Sequence, residues 1–142
     1  MLLSGPVVRD RVRWSDLDVM GIVYFGRYLR FMESAEAEFF RTQGFTYDRL
    51  AEEFGIWLAR VHLAIDYRTP ARLDDEVVCA AQLAKLGGSS LRFAFPIDRA
   101  DGLRLADGVL VLAALDRVTM RPTRLPAPLR EMLQRSSAAS TP

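Results

Sequence analysis

At 142 residues, half of them apolar and 26% charged, the chain has the length and balance of one ordinary globular domain with one core. A net charge of +1 excludes the global field that draws a protein to nucleic acid or to an anionic membrane. One cysteine, Cys79, and one histidine, His62, exclude an internal disulfide and make a zinc site untenable.

In chain order, Val7–Trp14 reads as a strand with interleaved basic residues, and Ser15–Gly21 as a polar turn. From Ile22 the pattern becomes helical. Leu29, Met32, Ala35 or Glu36, and Phe39 recur on one face, while Arg30, Glu33 and Arg41 face water. Gly44 supplies a C-cap, and Thr46–Phe54 reads as a second, short helix followed by Gly55. The period then drops to two: Trp57, Ala59, Val61, Leu63, Ile65 and Tyr67 share one strand face, and Leu58, Arg60, His62, Ala64 and Asp66 the other. Thr69-Pro70 breaks that strand. Glu76–Leu86 and Ser89–Ile97 read as a hairpin turned at Gly87-Gly88, and Asp101-Gly102 leads into a last strand within Leu103–Thr119. Pro122, Pro126 and Pro128 punctuate the end, and Leu129–Gln134 reads as a last helical turn. The expectation is one domain over residues 1–135 with a flexible tail over 136–142.

A strand, a long helix, a short helix and four antiparallel strands make an α+β layer architecture. Val109–Leu115 is apolar on both faces, whereas a single helix covers only one face of a sheet. A second subunit is therefore expected over the other. Apolar runs are too short to span a bilayer, and MLLSGPVV lacks the basic start and long apolar core of a signal peptide. The expected place is the cytoplasm.

The most informative stretch is Val12–Phe40, where Asp16, Asp18 and Gly21 lead into the aromatic-rich helix. A carboxylate beside a helix entrance can activate water or attack a carbonyl, while unpaired backbone N–H groups there hold the oxygen that turns negative. By themselves the two aspartates suit a turn or an N-cap equally well.

The string W-S-D-L-D-V-M-G-I-V-Y-F-G-R-Y-L-R-F-M-E from Trp14 resembles the signature of the hotdog-fold acyl-CoA thioesterases, nearest to the 4-hydroxybenzoyl-CoA and Tol–Pal-associated branches. D-Y-R-T-P-A-R-L-D-D-E-V from Asp66 and M-R-P-T-R-L-P from Met120 resemble that family's later segments, so the likeness spans most of residues 7–130. It implies an antiparallel five-stranded sheet wrapped around one long central helix, and hydrolysis of an acyl-CoA, short-chain aliphatic or aryl, to acid and thiol. CoA is then part of the substrate, and no separate cofactor is implied. Asp18 matches the family's catalytic carboxylate, as nucleophile or as base. The Phe25 backbone N–H matches the donor that polarises the thioester oxygen, Gly21 the turn into the helix, and Tyr24 the aromatic before that donor. Asp16 is left to orient the loop. Positions matching the family's CoA surface are Lys85, Gly88, Ser89, Ser90, Arg92, Arg121 and Arg124. The resemblance also implies a homodimer or a dimer of dimers, a homotetramer, with sites between subunits. Tyr24, Phe25 and Trp57 are the expected wall of the acyl pocket. Phe25 stands where the Tol–Pal branch has histidine, which leaves mechanisms needing that histidine unsupported, and Arg27 stands where relatives carry asparagine.

The remaining candidates have plainer readings. His62 reads as a surface or interface residue, Cys79 as an inert core thiol, Glu33 and Glu36 as a solvated or interfacial helix face, and Asp74-Asp75 as a turn cap. Lys85 is the sole lysine among many arginines, a bias that weakens any single arginine as a phosphate ligand. Three alternatives stand beside the leading reading: a carrier-protein thioesterase, a non-catalytic acyl-binding hotdog protein, and a magnesium phosphatase suggested by D-L-D-V. The last requires a parallel sheet of strand–helix units, which the hairpin strands after residue 57 oppose.

Overall fold

The computed structural model describes residues 2–139, with side chains to residue 134. Its strands are β1 (Leu3–Ser4), β2 (Val8–Arg11), β3 (Ile56–Tyr67), β4 (Glu76–Cys79), β5 (Gln82–Leu86), β6 (Ser90–Arg99) and β7 (Arg104–Asp116). Its helices are α1 (Tyr28–Thr42), α2 (Tyr47–Phe54) and α3 (Ala127–Ala139). The last begins before the expected helical turn and runs past Gln134; residues 140–142 of the expected tail lie outside the described residues.

All strand pairs are antiparallel, and the seven segments fill five positions in the order β1/β2, β4/β5, β6, β7, β3. This is the five-position hotdog sheet. The expected single strand Glu76–Leu86 is interrupted, and Pro96 supplies the reason. Cys79 pairs with Ile97 and Gln82 with Ala94, which sets Ala80 opposite Pro96. A proline has no N–H to donate there, so the ladder breaks and resumes.

The helix also starts later than its periodicity suggests. Ile22 and Val23, both β-branched, form bridges to Arg72 and Leu17, and a 3₁₀ turn, Phe25–Arg27, then leads directly into α1. Gly44, at φ +91°, follows the end of α1. Thr46 caps α2 by accepting from the Arg49 N–H, and Gly55 closes that helix in the left-handed region.

One face of the sheet wraps α1. Phe39 and Phe40 meet Phe93 edge-on at 5.0 and 6.1 Å between ring centres, in a core shared with Leu83, Leu91, Ile97 and Leu112. Gly108 lets the helix sit close, because a Cβ there would lie 2.8 Å from the Met32 Cε. Cys79 is buried, and burial pushes its thiol up to about 12, as expected of an inert core thiol.

The alternation read along Trp57–Tyr67 does not run unbroken. Arg60 pairs with Leu112 but His62 with Val111, so Val61 is a bulge and the two faces exchange there. Ile56 and Leu58 go inward, while Trp57, Val61, Leu63 and Tyr67 stay exposed. β3 pairs only with β7 among the described strands, and this leaves a long apolar edge.

Candidate active site

Between β2 and α1 the chain forms a tight loop. The Asp18 N–H donates to the Ile22 carbonyl at 2.9 Å, and the Gly21 N–H to the Asp18 carbonyl at 3.0 Å. Gly21 takes φ +76° with open space around it, so its role here is conformational.

The two aspartates are used differently. Asp16, 1% exposed, is an anchor. Its Oδ2 accepts from Arg30 at 2.6 Å and from the Arg13 N–H at 2.8 Å, and its carbonyl accepts the Tyr24 N–H at 2.7 Å. Arg30 also pairs with Asp10. Asp18 is half-buried. Its Oδ1 accepts the Met20 N–H at 2.8 Å, whereas its Oδ2 has no partner among the described residues. One oxygen of this carboxylate therefore serves the turn, and the other has no such duty among the described residues.

Asp18 opens into a cavity of about 340 Å³, lined also by Met20, Ile22, Val23, Phe25, Tyr28, Tyr67, Arg68, Thr69 and Pro70. Phe25, 62% exposed, is the first residue of the 3₁₀ turn, the position whose N–H has no partner within a helix. Among the described residues nothing else accepts from it. The Tyr67 hydroxyl donates to the Phe25 carbonyl at 2.8 Å. Tyr28, buried, accepts the Ala71 N–H at 3.4 Å and so ties the Thr69–Ala71 wall to the start of α1.

Not every expected residue meets here. Tyr24 stacks against Phe25, with ring centres 4.6 Å apart, but lines no part of the Asp18 cavity. Trp57 is likewise outside it, at the far end of β3. Of the seven positions matched to CoA, Lys85 and Arg92 are cross-strand partners. Gly88 lies against Arg124, whose guanidinium a Cβ would meet at 3.0 Å. The Gly88 carbonyl accepts the Leu125 N–H at 2.8 Å, and the Ser89 carbonyl the Ala114 N–H at 2.9 Å. Ser90 opens β6, and Arg121 donates its N–H to the Thr119 hydroxyl at 3.3 Å. Arg130, which the sequence did not single out, joins the group by donating to the Gly87 carbonyl at 3.0 Å. The hairpin is remote from Asp18 within one chain. Tyr67 aligns with Ala106 on β7 and Ser90 with Ala113, seven residues apart, or ~23 Å along the sheet.

A second cavity, of about 530 Å³, lies between α1 and β3 and is lined by Leu29, Met32, Glu33, Glu36, Tyr47, Arg60, Leu63 and Leu110. Here the helix-face reading of Glu36 needs correction. The residue is 1% exposed and accepts from Arg60 at 2.6 Å. Burial holds its carboxyl above the usual range, with Arg60 opposing that shift. The cause is positional: Glu36 falls on the same helical stripe as Met32 and Phe39. His62 is exposed, as expected of a surface residue.

Residues 12–135 match the sequence model of the Thioesterase-like superfamily. The chain belongs to that superfamily. It is 34% identical over 126 residues to the acyl-CoA thioesterase YbgC of Haemophilus influenzae, covering 89% of this chain and 92% of that protein. With the Escherichia coli acyl-CoA thioester hydrolase YbgC it shares 31% over 125 residues, covering 88% and 90%. Its fold superposes on a DHNA-CoA thioesterase from Staphylococcus aureus with a TM-score of 0.84 over 96% of this chain and 91% of that one, at 20% identity. As a member of this superfamily the chain is a thioester hydrolase, with the hotdog fold that the first motif implied. The wholly antiparallel sheet also removes the phosphatase alternative.

Proposed function

We propose that this protein hydrolyses an acyl-CoA, short-chain aliphatic or aryl, at the cavity shared by Asp18 and Phe25. One observation carries the reading: Asp18, whose Oδ2 has no partner among the described residues, lines the same cavity as Phe25, whose N–H at the helix entrance likewise has none among them. The thioester oxygen accepts from the Phe25 N–H, which draws electrons from the carbonyl carbon and holds the tetrahedral oxyanion. Asp18 either takes a proton from the attacking water or attacks the carbon itself. In the second path a mixed anhydride forms, which water then opens. The C–S bond breaks in both, and the thiolate departs with little need of an acid because it is a good leaving group. Heavy oxygen found in the enzyme's carboxylate after single turnover in labelled water would establish attack by Asp18 with water opening the anhydride at the aspartyl carbon, since the general-base path labels only the product acid.

The acyl-CoA substrate is supported by the names of the curated relatives, and the small acyl group by a cavity of about 340 Å³ walled by Phe25, Tyr28 and Tyr67. The protein works as a homodimer, or as a tetramer of two such dimers, in the cytoplasm. Two-fold antiparallel pairing of exposed β3 edges would carry the hairpin end of one copy toward the Asp18 end of the other. Lys85, Gly88, Ser89, Ser90, Arg92, Arg121 and Arg124 would then meet CoA from the second chain. Glu36 is the competing acid, as it occupies the larger cavity, but it is already paired with Arg60.

The test is an acyl-CoA panel from acetyl through long-chain to benzoyl-CoA, with released thiol as the readout. Turnover of short-chain or aryl members supports the reading, and no thiol release from any member overturns it in favour of a binding protein. Faster cleavage of the same acyl group on a carrier protein, with strong salt dependence, would favour the carrier-protein alternative.

A further inference from the structure

The Phe25 N–H lies in the peptide joining Tyr24 to Phe25, and its usefulness depends on how that unit is held. The Tyr24 side of Phe25 is fixed twice: the Tyr24 N–H donates to Asp16 at 2.7 Å, and the Tyr24 carbonyl accepts from the Arg27 N–H at 2.8 Å. The following peptide, Phe25 to Gly26, is gripped from another element. The Tyr67 hydroxyl, at the last residue of β3 and 42 positions away in sequence, donates to the Phe25 carbonyl at 2.8 Å. Its ring stands edge-on to buried Tyr28, with centres 5.2 Å apart, and forms part of the same cavity wall as Asp18.

We infer that Tyr67 is a positioning residue: its hydroxyl fixes the Phe25–Gly26 peptide, sets the direction of the N–H groups at the helix entrance, and so tunes their hold on the developing oxyanion. The physical reason is simple. With the preceding peptide already anchored, the Tyr67 hydroxyl adds a hold on the next one from outside the turn, and a donor at the Phe25 carbonyl also polarises the Gly26 N–H of the same peptide. Tyr67 itself is 49% exposed, and Tyr28 packs against its ring edge-on. Loss of the hydroxyl alone therefore leaves the packing in place. The catalytic part of this inference rests on the thioesterase reading of the cavity, and the structural part does not.

Tyr67→Phe removes only the hydroxyl. The expected result with benzoyl-CoA or butyryl-CoA, whichever the wild type turns over, is a fall in kcat of ~10-fold, the size of one lost hydrogen bond. KM and melting temperature should stay within about twofold and a few degrees, because a uniform binding role would move KM instead. In amide NMR spectra of the same pair, the Gly26 resonance should shift upfield and exchange faster in the variant, whether or not either protein is active. An unchanged Gly26 amide overturns the inference outright. A shifted amide with unchanged kcat, in a wild type that is active, overturns its catalytic part. If the wild type cleaves no acyl-CoA, the functional reading fails by itself and the Gly26 signal still decides the positioning.

Discussion

Asp16 and Asp18 stand two residues apart in one turn, and their surroundings differ, because one carboxylate spends both its burial and its hydrogen bonds on Arg30 and Arg13 while the other lines a cavity. Asp16→Asn should cost roughly 2–3 kcal/mol of stability, read by denaturant unfolding, since it weakens a buried charge network. A loss below about half a kcal/mol would remove Asp16 as the loop's anchor. Gly21→Ala should cost about 1 kcal/mol by the same measurement, because φ +76° places a Cβ against the backbone. An unchanged midpoint would mean that the turn relaxes to negative φ. The turn built by these residues was legible in the sequence, since aspartates, glycine and helix onset are local. What Tyr67 does was not, as its partner lies 42 positions away.

The elements were legible where their signals were local and misread where a distant partner intervened. Ile22 and Val23 fitted the helical pattern beyond them, but bridges to Leu17 and Arg72 held them extended. Pro96 was visible as a proline, yet the strand break it causes falls on Ala80, which only the register brings opposite. Glu36 sat on the apolar stripe of α1, and its charge argued for water until Arg60 of β3 arrived beside it. That pairing makes a pH prediction. An ordinary glutamate titrates at 4.5, and folded Glu36 keeps its proton above that. As pH rises past 4.5 the unfolded chain releases the proton first, so this group's contribution to stability falls. Glu36→Gln removes the titration. The melting temperature of the variant minus that of the wild type should become more positive from about pH 5 to about pH 8. A difference that stays flat or becomes more negative over that range would contradict the direction.

The assembled molecule has its acid cavity at one end of β3 and its basic hairpin at the other, and an exposed apolar strand edge between them. Two copies joined along that edge would complete what one chain separates. Val61→Lys together with Leu63→Lys should shift the protein toward monomer in sedimentation velocity, because charge on an exposed strand edge opposes pairing. Turnover should fall with the loss of dimer. A wild type that sediments as a monomer, or a variant that dimerises as before, would contradict the edge as the interface. Beneath these predictions lies the claim that Asp18 works on a carbonyl already held by the Phe25 N–H. The direct measurement is steady-state thiol release by Asp18→Asn beside wild type on the best substrate of the acyl-CoA panel. The account predicts a loss in kcat of at least ~100-fold with the unfolding midpoint retained; a rate within a few-fold of wild type would contradict it.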